Sequence, residues 1–261
     1  MIVRFFGEPG RQLFGAYHPP EADRARDRAV LLCYPDQQEY RHVHWAFRKL
    51  AALLSANGFH ALRFDYLGTA DSAGDISMAS LAQWTSDVRV AATELRELTG
   101  LRRISLIGLR LGAVLAARAC AAGLAATELV LWEPVIDGQA YLDELKQSQN
   151  RFVIGLRYPQ DPTRLPDELL GFRLPAALRS SIASIDLTQE SVGTPGRVLV
   201  VEAAPRAEAE RLVREVCSRG VPCSYEVIPD AGMTAVHRSQ AETLLVHRIL
   251  ETIVSFLSAP A

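Results

Sequence analysis

The sequence predicts an α/β protein in which a mostly parallel sheet is flanked by helices on both faces. Three observations predict it. Short aliphatic and β-branched runs alternate with helical patterns, the rhythm of repeated strand-helix-strand units. Glycines stand where those helices should stop. At 261 residues, 49% of them hydrophobic, the chain can bury one large core.

The elements follow in order. The charged stretch "HPPEADRARDR" reads as a solvated connection between an early hairpin and the first central strand. Strands are predicted at 29–34 (AVLLCY), 60–66 (HALRFDY), 103–108 (RISLIG), 128–134 (ELVLWEP), 197–203 (RVLVVEA) and 223–229 (CSYEVIP). Amphipathic segments predict helices at 45–57, 81–99, 112–122, 207–218 and 241–257, with Gly58, Gly100, Gly123 and Gly220 as C-caps. Residues 137–195 are too many for a loop between adjacent strands and carry helical patches of their own. They read as a helical lid inserted into a core formed by 1–136 and 196–261.

Composition excludes several classes. With 28 Lys and Arg against 30 Asp and Glu, and no basic block, the chain has nothing to neutralise a phosphate backbone, so nucleic acid is not an expected partner. The longest apolar stretch is interrupted by Arg110 and Arg118, which argues against a membrane span. The opening residues lack a signal-peptide core, which predicts a cytoplasmic protein. Cys33, Cys120, Cys217 and Cys223 form no CxxC pair and have no nearby His at zinc spacing. They read as reduced core thiols, and neither metal nor cofactor is expected.

In open parallel sheets the ligand crevice lies beyond the carboxyl ends of the strands, where the unusual residues of this chain fall. "LIGLRLGAVLAA" reads as strand, sharp turn and helix, with Gly108 and Gly112 flanking the turn. It resembles the nucleophile elbow of the α/β-hydrolase superfamily, GxSxG, with Arg110 in place of the serine. The resemblance extends over residues 29–144 and is narrowest to a bacterial subgroup described as serine aminopeptidase-like or exosortase-associated. "CYPDQQEYRHVHWAFRKLAALLSANGFHALRFDYLGTADSAGD" is similar to that subgroup's oxyanion loop, first helix and FDYxGxGDS turn, and "LVLWEPVIDG" to its next strand end. The departures are equally informative. Ala70 replaces a turn glycine, Tyr34 an oxyanion-loop histidine, and in "IPDAGMTAVH" Met233 stands where the resemblance implies the catalytic histidine.

Arginine stays protonated and offers no lone pair, and methionine cannot relay protons, so acyl-enzyme hydrolysis at the elbow is not expected. Arg110 can hold an anion. In the plainer reading this is an internal carboxylate, Glu133 or Glu202. In the sharper one it is a ligand carboxylate, with Tyr34, Gln37, Leu109, Leu111, Glu133 and Met233 lining the pocket and oxyanion-loop donors stabilising an enolate. The chain also resembles the atypical group that holds the peptide epimerase of bottromycin biosynthesis, which implies epimerase chemistry in natural-product biosynthesis.

Other residues receive structural readings. Asp65, Tyr66 and Asp71 belong to a turn, and Ser72 lacks the setting of a nucleophile. His42 and His44 fall on different helix faces, and Trp45, Trp84 and Trp132 read as core. Tyr141, Phe152, Tyr158 and Phe172 pack the lid or cover a ligand. His237 restores a base if the loop carrying it reaches the crevice. Three functions follow: an isomerase or epimerase of a carboxylate-bearing peptide or small acyl compound, a hydrolase with a rearranged site, and a binding protein without catalysis.

Overall fold

Eight strands form one twisted sheet in the computed structural model, which describes residues 1–35, 37–155, 168–169, 171–229 and 245–260. An N-terminal hairpin pairs β1 (Ile2–Phe6) with β2 (Leu13–His18), and β2 runs antiparallel to β4 (His60–Phe64). From β4 the sheet continues in parallel through β3 (Ala29–Cys33), β5 (Ile104–Leu109), β6 (Glu128–Trp132), β9 (Arg197–Glu202) and β10 (Cys223–Val227). The central strands are fully buried, as their near-continuous aliphatic runs require when helices cover both faces.

Helix α1 (Gln37–Ala56) and the terminal α7 (Leu245–Ser258) pack together, while α2 (Leu81–Thr99) packs on α3 (Leu111–Ala121). α1 begins eight residues before the predicted start at 45. Its first two turns, "QQEYRHVH", are polar and mask the periodicity, yet Val43, Phe47, Leu50 and Leu54 continue one buried stripe. The Ser80 hydroxyl caps α2 by accepting from the Gln83 amide at 3.1 Å, and Gly100 closes that helix at φ 70°. α6 (Ala207–Ser218) packs on β10. Cys33 and Cys120 are buried, but Cys217 is exposed and Cys223 half-buried, a correction to the core reading: α6 is amphipathic and Cys217 lies at its exposed end.

Between β6 and β9 lie α4 (Gly138–Gly155), the ribbon β7 (Glu168–Leu169) with β8 (Phe172–Arg173), and α5 (Ala176–Ala183). A Cβ on Gly138 would fall 1.7 Å from the Ile182 carbonyl oxygen, so only glycine lets α4 start against α5. Arg118 on α3 holds the returning segment through two bonds to Glu190, 2.7 and 2.6 Å.

At the opposite end from the elbow, the fully buried Glu128 carboxylate accepts hydrogen bonds from Arg28, Arg197 and Ser105. These four residues come from the entrances to β3, β6, β9 and β5, so one charge cluster clamps the starts of four strands. Among the described residues no helix is long and apolar enough to cross a membrane.

Candidate functional site

The turn between β5 and α3 has the geometry its glycines imply. Arg110 sits at φ 54°, ψ −117°, a conformation costly for a residue with a side chain. Its backbone is pinned on both sides: its amide donates to the Trp132 carbonyl at 3.0 Å, and its carbonyl accepts from Ala113 at 3.1 Å and Val135 at 3.3 Å. A Cβ on Gly112 would lie 2.3 Å from the carbonyl oxygens of Cys33 and Tyr34, and one on Gly108 would lie 2.4 Å from the Gly112 carbonyl oxygen. The helix therefore packs directly on the ends of β3 and β5. Ala70, where a turn glycine was expected, also has positive φ, at 42°.

The Arg110 side chain points into a nest of acids and is only 4% exposed. Its Nε donates to Glu39 Oε1 at 2.8 Å and one terminal nitrogen donates to Glu144 Oε2 at 2.6 Å. The Tyr141 ring lies 5.1 Å from the guanidinium carbon, and its hydroxyl donates to the other Glu39 oxygen at 3.2 Å. Burial alone would work against the charge. Glu39 first, then Glu144 and Tyr141, outweigh it and hold the arginine more firmly protonated than in water.

These partners correct the expected ones. Glu202 is engaged by Arg206, and Glu133, buried at φ 42°, donates its amide to the Val201 carbonyl. Instead, Glu39 comes from the first turn of α1 and Glu144 from α4. A buried cation at an elbow requires carboxylates, but nothing in the local sequence says which of 30 acids will supply them.

The other expected residues scatter. Leu109 and Leu111 are core. Gln37 opens α1, with its side chain outside the described part, and Met233, His237 and Tyr158 lie outside the described residues, as does the Phe152 side chain. Tyr34 is turned from the elbow: its ring stacks on Phe47 at 4.4 Å and its hydroxyl accepts from Arg63 at 2.8 Å. Trp132 is core, 6.2 Å from Phe47 and parallel to it. Ser72 is a turn residue, its hydroxyl donating to the Asp65 carbonyl at 2.6 Å and accepting from the Phe14 amide.

Beside the elbow, Tyr34, Pro35, Tyr40, Asp65, Tyr66, Thr69 and Trp84 surround a cavity of about 280 Å³, with Phe172 from β8 at its edge. Asp65, buried and directly after β4, lines it. Burial raises the Asp65 carboxyl to about 6 against the help of the Asp71 amide and the Tyr40 hydroxyl. Tyr40 itself is pushed well above the ordinary phenol range by burial and by Asp65.

Arrangement and topology are those of the α/β-hydrolase fold, with an arginine ion-pair cluster at the turn between β5 and α3. No protein-family model matches the chain, and no curated protein matches it. Solved structures do. Est1E from Butyrivibrio proteoclasticus with ferulic acid bound is 18% identical, covers 98% of this chain and 100% of its own, and superposes at TM-score 0.65. The bottromycin epimerase BotH in complex with bottromycin A2 is 17% identical over 98% of this chain and 99% of its own, at TM-score 0.60. XC6422 from Xanthomonas campestris, described as an α/β serine hydrolase without a lid, is 17% identical over 100% and 96%, at TM-score 0.57. At these identities the likeness is one of fold.

Proposed function

We propose that this chain is a non-hydrolytic enzyme on the α/β-hydrolase fold, an isomerase or epimerase that binds a carboxylate-bearing peptide or small acyl compound at Arg110. The observation that carries the reading is the buried guanidinium at the tip of an intact elbow. A group without a lone pair occupies the place of the nucleophile, while the geometry that presents that place is preserved.

The two carboxylates on Arg110 are unequal. The Glu39 side chain is 20% exposed and is also held by Tyr141, whereas Glu144 is 40% exposed and belongs to the insertion. Glu39 is the resident counter-ion. Glu144 stands where a ligand carboxylate would stand, and a ligand that displaced it would move α4 away from the crevice. Chemistry left to such a site is proton transfer beside a carbonyl, stabilised by fixed donors. Asp65, titrating near 6 in the adjoining cavity, has a pKa suited to exchange a proton near neutral pH. The bottromycin epimerase among the structural neighbours is an instance of epimerase chemistry on this fold.

The test combines a serine-reactive fluorophosphonate with solvent-deuterium incorporation into a panel of carboxylate-terminated peptides and acyl compounds. No covalent labelling, together with deuterium uptake that Arg110→Met abolishes, supports the proposal. Labelling overturns it in favour of hydrolysis. A second reading, binding without turnover, is favoured by the neutralisation of Arg110 by Glu39 and Glu144; ligand binding without deuterium uptake would select it.

A further inference from the structure

A second cation is buried on the far side of Tyr34. Arg63 is the penultimate residue of β4 and only 7% exposed. Its Nε donates to His18 Nε2 at 3.2 Å, and one terminal nitrogen reaches the Tyr34 hydroxyl at 2.8 Å and His44 Nε2 at 3.3 Å. The other terminal nitrogen meets the thioether of Met1 at 3.6 Å, a weak acceptor. Every one of these acceptors is uncharged. Burial and the Arg63 charge push His18 down to about 4 and lower His44 as well, so both imidazoles stay neutral and supply no counter-charge. Among the described ion pairs none includes Arg63, in contrast to the two carboxylates on Arg110. Asp65 lines the same cleft and feels the Arg63 charge, yet the two form no ion pair, so among the described residues no carboxylate is bonded to this guanidinium, whereas a buried guanidinium is ordinarily paired with an anion.

The architecture leaves room for one. Strand register places Val3 on β1, Ala16 on β2 and Arg63 on β4 in one cross-strand row, with Phe14 and Asp65 beside it. α1 packs chiefly on β4 and touches β2 and β3, and it presents Tyr40, His44 and Arg48 on successive turns toward the cleft. The result is a cleft of about 280 Å³ with Arg63, Asp65 and Tyr34 at its floor and Met1, Val3, Arg48 and Asp71 around it.

We propose that this cleft is a binding site for a small monocarboxylate with an apolar body, its carboxylate paired with Arg63 and Arg48 and its hydrocarbon part against Val3, Phe14, Ala16 and Phe64. The planar fork of Arg63 matches a carboxylate, and its terminal nitrogen toward the rim is held only by the weak thioether acceptor of Met1, which a carboxylate displaces. Asp65 and Asp71 line the same cleft and oppose a second negative charge, which selects a monoanion over a phosphate dianion. The site is separate from the Arg110 cluster but shares Tyr34, Tyr40 and Asp65 with the cavity beside the elbow, and carboxylate binding at Arg63 and Arg48 does not require turnover at Arg110.

Titration of the full chain with phenylacetate and hexanoate, followed by the imidazole NMR signals of His18 and His44, tests the proposal. Phenylacetamide and inorganic phosphate serve as the neutral and dianionic comparisons. Saturable shifts of both imidazoles by the carboxylates are expected, with the amide and phosphate at least about tenfold weaker. Because Arg63→Met deletes a buried, hydrogen-bonded group and puts folding itself at risk, two rim variants carry the test. Arg48→Gln should weaken the carboxylates severalfold, and Val3→Glu, which places a like charge at the mouth, should abolish their binding. Equal binding of acid and amide, binding that leaves His18 and His44 unmoved, or binding indifferent to Val3→Glu would overturn the assignment.

Discussion

Replacing Arg110 by Met keeps the reach of the side chain and the strained backbone of the elbow while deleting the charge. Glu39 and Glu144 are then left facing one another without a cation. Breaking a buried pair by removing one partner costs roughly 3–5 kcal/mol. Here the lower end applies, about 3 kcal/mol, because Glu144 is 40% exposed and regains water by swinging outward, whereas Glu39 at 20% cannot do so fully. By the same reasoning Glu39→Gln costs about 2 kcal/mol, and Glu144→Gln no more than about 1 kcal/mol, the worth of a solvent-screened pair. Urea melts of the three variants measure all three values, and the double variant Arg110→Met with Glu39→Gln should recover part of the loss, since the stranded carboxylate is gone. An Arg110→Met melt within about 0.5 kcal/mol of wild type, near the usual scatter of neutral substitutions, would refute the ion-pair account. So would a Glu144→Gln cost equal to that of Arg110→Met, because it would make the exposed arm the principal one.

Glu128→Ala strands Arg28 and Arg197 against a buried Ser105 and should cost about 3–5 kcal/mol in a chemical melt, with no local effect at the elbow. Gly112→Ala drives a methyl group onto two backbone carbonyl oxygens at 2.3 Å and should abolish soluble expression or lower the melting temperature sharply, whereas Gly123→Ala, whose Cβ meets nothing within 4 Å, should pay only for its positive φ of 93°. Asp65 ionises near 6 when folded against an ordinary 3.8, so its charge lowers stability above pH 6 and the penalty fades as pH falls through 6 towards 3.8. Asp65→Asn should therefore stabilise the fold at pH 7.5, by up to about 2–3 kcal/mol, and change little below pH 4. His18 acts in the opposite sense: its folded value near 4 lies below the ordinary 6.5, so stability is lost as pH falls from 6.5 to 4, and His18→Gln, which keeps an acceptor for Arg63, should flatten that part of the profile in thermal melts.

The sequence by itself determined what depends on near neighbours along the chain. Aliphatic runs such as Ala29–Cys33 and Ile104–Leu109 are buried on both faces wherever helices flank them, so strand identity and the parallel sheet were readable from composition and rhythm. Gly108 and Gly112 announced the elbow because only the absence of a Cβ lets the helix descend onto the strand ends. The start of α1 was not readable, because its first turns are polar and, of residues 39–44, only Val43 is buried. The counter-ions of Arg110 were decided by tertiary structure alone. Glu39 and Glu144 lie 71 and 34 residues away, and an ion pair depends on which side chains the packed elements bring within a few ångströms, not on spacing. Arg63 shows the same division. Its place in a strand was legible, but that its hydrogen bonds all go to uncharged groups, with Asp65 near yet not ion-paired to it, beside a cleft lined from β1, β2, β4 and α1, was decided by how those elements pack.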